Sequence, residues 1–118
     1  MPACGNLVLW RPIPAGSRFG ICAEGENDNF NITVTIDCDS GTEPPWRHDT
    51  IVPGPQTRVI NQNDSCTFTV FVDVLSISGD PMCIDAWIED AAATKTKQCK
   101  WSFSEPGRFQ IMINVDNR

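Results

Sequence analysis

Asn29-Phe30-Asn31-Ile32-Thr33-Val34-Thr35-Ile36-Asp37-Cys38 alternates along its length. Phe30, Ile32, Val34, Ile36 and Cys38 fall on one face of an extended chain; Asn31, Thr33, Thr35 and Asp37 fall on the other. Successive side chains of a strand point to opposite sides of its sheet. Period two in β-branched residues therefore predicts a strand with one covered face and one wet face. A helix would scatter the same apolar residues around its circumference.

The pattern repeats outward. In Ser65–Ser78, Cys66, Phe68, Val70, Val72 and Val74 share a phase, while Phe71, Leu75 and Ile77 take the opposite one. Such a run is either covered on both sides at its centre or changes phase at a bulge near Val74. Shorter strand patterns cover Asn6–Trp10, Arg18–Ala23, Thr57–Asn61, Met82–Glu89, Gln98–Ser104 and Arg108–Asp116. Turn formers separate them, among them Asp39-Ser40-Gly41, Pro53-Gly54-Pro55, Gly79-Asp80-Pro81 and Pro106-Gly107. Glu89–Thr94 is the one helix-friendly stretch and predicts a single helical turn inside a hairpin loop. The expected fold is all-β, an antiparallel β-sandwich of about seven to eight strands in one domain spanning residues 1–118. Asp39 to Pro55 reads as a long loop carrying Pro44, Pro45, Trp46 and His48.

The end of the chain, Trp101-Ser102-Phe103-Ser104-Glu105-Pro106-Gly107-Arg108-Phe109-Gln110-Ile111, resembles the closing hairpin of extracellular immunoglobulin-like modules. The resemblance implies an immunoglobulin-like architecture in the broad sense and brings no site residues. The chain has no tyrosine, hence no tyrosine corner, and its cysteine and tryptophan spacing departs from that of antibody domains.

The 118 residues are 41% hydrophobic and 20% charged, a globular composition. The net charge of −6 repels phosphate backbones and argues against nucleic acid as a partner. No apolar run is long enough for a transmembrane helix. Leu7-Val8-Leu9-Trp10 is too short for the apolar core of a secretory leader, so Met1 is expected to start a mature domain placed behind it.

Six cysteines, Cys4, Cys22, Cys38, Cys66, Cys83 and Cys99, are spread along the chain without a CxxC pair. An even, dispersed set in a small domain predicts three disulfides and an oxidising, extracellular setting. Cys38, Cys66 and Cys99 sit in core phases, which favours a Cys38–Cys66 or Cys66–Cys99 bridge across the sheets. Cys83 shares its phase with Asp85, Trp87 and Glu89. The sequons at Asn31 and Asn63 place glycan acceptors on wet positions and agree with secretion. The alternative is a cytoplasmic chain whose cysteines are buried thiols.

Catalytic motifs are scarce. The one histidine, His48, lies in Trp46-Arg47-His48-Asp49, and no GxSxG, HExxH or phosphate-binding loop is present. The expectation is a non-enzymatic protein. Glu24, Glu26 and Asp28 alternate as oxygen ligands do in calcium loops, so Ca2+ is the one candidate cofactor. Trp46, Arg47 and His48 have the composition of a contact hot spot, for a protein or for a glycan stacked on the indole. The leading expectation is thus a secreted or cell-surface binding module using the Trp46 loop. The alternative is a small secreted toxin, effector or enzyme inhibitor on the same scaffold.

Overall fold

The computed structural model describes residues 7–10, 14, 16–24, 30–47, 55–61, 64–77 and 81–116. They form β1 (Leu7–Trp10), β2 (Arg18–Glu24), β3 (Phe30–Cys38), β4 (Gly41–Arg47), β5 (Gln56–Val59), β6 (Ser65–Val74), β7 (Met82–Glu89), β8 (Lys95–Phe103) and β9 (Gly107–Asp116). The large sheet runs β1-β9-β6-β3-β4 and the small sheet β5-β2-β7-β8. Eight strands pair antiparallel, four in each sheet, and β1 joins the large sheet parallel to β9. Among the described residues there is no helix, hence none long and apolar enough to cross a membrane.

The alternation seen in the sequence positions the core. In β3 and β6 every second residue is buried, from Phe30 to Cys38 and from Cys66 to Val74. The two strands pair in full register from Phe30↔Val74 to Cys38↔Cys66, so both apolar rows face the same way. The small sheet offers Phe19, Ile21, Ile84, Ala86 and Ile88 to the same cluster. Phe19 of β2 stacks on Phe68 of β6 with ring centroids 3.8 Å apart, which joins the sheets face to face. Val70 and its neighbours are covered on the inner side only, since Phe71 is 44% exposed. The change of phase after Val74 is the end of β6, and Ile77 returns to the core from beyond it.

The Asp39–Pro55 stretch is not all loop. Asp39 and Ser40 turn the chain, and β4 returns along β3 carrying Pro44 and Pro45. Prolines are tolerated because β4 is an edge strand, where a missing amide breaks no ladder between two neighbours. Glu43 lies opposite Ile36 and Trp46 opposite Val34, so three residue steps on β4 match two on β3. This bulge turns both Glu43 and Trp46 toward the inner side.

Glu89–Thr94 is a tight turn, not a helical one. The Asp90 carboxylate accepts the amides of Ala92 (3.0 Å) and Thr94 (2.9 Å), and Ala93 takes a left-handed φ of 64°. A side chain that binds its own backbone outcompetes helix propensity over so short a span.

The seam between the sheets is closed by charge. Arg58 of β5 donates from Nε to Glu43 Oε1 of β4 at 2.6 Å, tying the two edge strands together. Its Nη1 donates to Val59 O at 2.9 Å.

Candidate functional site

Cys38 and Cys66 are directly opposed across β3 and β6 and form a disulfide. The bridge lies within the large sheet, not across the sheets. A groove of about 340 Å³ opens beside it. It is built from successive rows across three strands. Two outward rows, Asp37, Thr67 and Asn114 and then Asp39, Ser65 and Asp116, flank the core-facing row of the bridge and Val115.

The polar groups are held in place by one another. Thr67 Oγ1 donates to Asn114 Oδ1 at 2.8 Å, and Ser65 Oγ donates to Asp116 Oδ1 at 2.8 Å. Thr42 Oγ1 donates to Asp37 Oδ1 at 3.0 Å. Below the turn, Asp64 is only 5% exposed and accepts both the amide of Ser40 (3.2 Å) and its hydroxyl (2.8 Å). The turn carrying Asp39 is thereby fixed to the start of β6. The groove presents three carboxylates and one primary amide, a surface rich in acceptors for hydroxyl donors.

The same outer face continues along the strands. Thr35, Thr69 and Met112 form the next row, then Thr33, Phe71 and Gln110. Phe71 and Met112 are exposed by 44% and 37%. Two apolar side chains thus stand among threonines and an amide, one and two rows from the groove.

The residues singled out in the sequence are not brought together. Trp46 is half-buried and packs on the core. The bulge in β4 is the physical reason. Arg47 is exposed, and His48 lies outside the described residues. Glu24 is exposed at the end of β2, while Glu26 and Asp28 lie outside the described residues. Asn31 is exposed on the outer face of β3, and Asn63 lies outside the described residues.

The expectation of six bridged cysteines is met at Cys38, Cys66 and Cys99, the last of which is disulfide-bonded as well. Cys22 and Cys83 are free thiols. They lie on the same face of adjacent strands of the small sheet but two residues out of register, with Cys22 opposite Asp85 and Cys83 opposite Glu24. Burial pushes the Cys22 thiol pKa up, helped by the Glu24 and Asp85 carboxylates and opposed by Lys95. Cys4 lies outside the described residues.

The groove rows were hidden from sequence reading. Asp37, Thr67 and Asn114 each occupy the polar phase of an alternating strand, but only the pairing register sets them side by side. No protein family, no curated protein and no solved structure matches the chain.

Proposed function

We propose that the chain is a non-enzymatic binding module of a secreted or cell-surface protein, and that it binds a glycan on the outer face of its large sheet. The observation that carries this reading is the continuity of the Asp37–Asp116 groove with exposed Phe71 and Met112. Sugars are amphipathic. Their hydroxyls donate to fixed carboxylates and amides, and their C–H faces pack on apolar and aromatic side chains. The groove's hydroxyls are already committed to neighbours, so the face is pre-organised at little cost in side-chain entropy. The Cys38–Cys66 bridge supports an oxidising setting.

The immunoglobulin-like assignment is proposed only as two packed antiparallel sheets. Here Cys38–Cys66 joins neighbours within one sheet, whereas the immunoglobulin bridge spans both.

A glycan array probed with the purified chain tests the reading. The best ligand is then titrated against Phe71→Ala and Asp37→Asn. Each variant is expected to lose about tenfold in affinity, roughly 1.4 kcal/mol, with an unchanged thermal midpoint. Unaltered affinity in both would place the site elsewhere. An array without a single bound glycan would remove the glycan and leave a protein partner.

A further inference from the structure

The outer face of the small sheet holds a second cluster. In the β2–β7 register, Cys22 stands opposite Asp85 and Glu24 opposite Cys83. Two thiols therefore occupy one diagonal of a four-residue array, and two carboxylates occupy the other. Both cysteines are free and partly exposed. Asp85 Oδ1 is buried and has no hydrogen-bond partner. Lys100 sits opposite Asp85 on β8 yet forms no ion pair with it. A buried carboxylate oxygen without a donor is unfavourable, and a cation would satisfy it.

We infer that Cys22, Cys83, Asp85 and Glu24 form a binding site for one thiophilic divalent cation, with zinc as the representative ion. The set supplies four ligands of the types zinc takes, two thiolate and two carboxylate. Diagonal neighbours on adjacent strands lie about 7–8 Å apart, beyond the roughly 6.8 Å that a disulfide spans between Cα atoms. A shared ion relaxes that limit, because each sulfur sits about 2.3 Å from the metal on its own side. The directly opposed Cys38 and Cys66 are the contrasting case, and they are bridged.

The cation-free thiols rest on weak contacts. Cys83 Sγ lies 3.6 Å from Ser102 Oγ and 3.8 Å from Pro81 O, and Cys22 Sγ lies 3.9 Å from Ala23 O. Rotation about Cα–Cβ exchanges these contacts for the ion. Among the described residues, the three-ligand group already within 4.8 Å is Cys38, Asp64 and Cys66, whose sulfurs are consumed by the disulfide. Binding one M2+ forms two metal–sulfur bonds and releases the two thiol protons to solvent, the carboxylates entering as anions. The product staples β2 to β7.

The test is a Zn2+ titration of the full, unreduced chain, followed by calorimetry and native mass spectrometry. One Zn2+ per chain is expected, and bound Zn2+ should protect Cys22 and Cys83 of the unmutated chain from alkylation. Cys83→Ser and Asp85→Asn should each weaken binding by at least about tenfold. The alkylation measurement needs no variant, so it decides the matter even if Cys83→Ser fails to fold. The inference is overturned by an absence of Zn2+ binding at millimolar concentration, by unprotected thiols in the presence of Zn2+, or by undiminished affinity in folded variants. A Cys22–Cys83 disulfide in protein from its natural source would overturn it as well.

Discussion

The two outer faces of the sandwich are built by the same alternation and end up unlike. On the large sheet the outward rows are threonines, acids and amides, with Phe71 and Met112 open to solvent. On the small sheet the outward row of β7 is Cys83, Asp85, Trp87 and Glu89, and Trp87 is only 4% exposed. Its indole lies over Gly20, the residue opposite it on β2, and Lys95 Nζ sits 4.1 Å above the ring. Alternation assigns a side chain to a face, and the neighbours across the register decide whether that face is wet. The cysteines repeat the lesson: opposed in one sheet they are bridged, offset in the other they are free.

Five changes probe this difference and the contacts that hold it in place. The largest effect is expected at the bridge of the large sheet. Cys38→Ala with Cys66→Ala releases a loop closed over a separation of 28 residues and should cost about 3–4 kcal/mol in denaturant unfolding. The matching Cys22→Ser with Cys83→Ser change in metal-free protein should cost less than about 1 kcal/mol. Equal losses would mean that the offset pair is bridged too.

Gly20→Ala probes the covered face. A Cβ there would collide with the Trp87 indole, so a loss of about 1–3 kcal/mol is expected, partly recovered when Trp87 is cut to Leu. A neutral Gly20→Ala would mean that the indole does not rest on β2.

Next in size is the seam. Arg58→Met removes the pairing with Glu43, whose side chain is 39% exposed and can rehydrate, so the loss should be about 1 kcal/mol. High salt should leave most of that difference in place, because the Arg58 side chain is only 12% exposed. The smallest effect is a gain. Ala93→Gly relieves a left-handed alanine and should stabilise by up to about 1 kcal/mol in the same unfolding assay.

The strands of the core were legible because one covered face imposes period two on β3, β6 and β9. β4 was not, since Pro44 and Pro45 announce a loop wherever the strand's place at an edge is unknown. The Asp90 turn was missed for a related reason. Alanine-rich composition favours a helix, and a single carboxylate on two amides overrides it. The inward turn of Trp46 was not legible, because the bulge that produces it leaves no mark in the sequence. Asn31 was placed correctly on the wet face by its phase alone. The groove and the offset thiols depend on register between strands far apart in the chain, which one sequence does not contain.

The proposed glycan site occupies the open face of the large sheet. Amide chemical-shift mapping with the best array glycan tests it directly. Perturbed signals are expected along the outward positions of β3, β6 and β9, centred on Asp37, Thr67 and Asn114 and extending to Phe71, with β2, β7 and β8 unmoved. Shifts gathered instead on β2, β7 and β8 would contradict it.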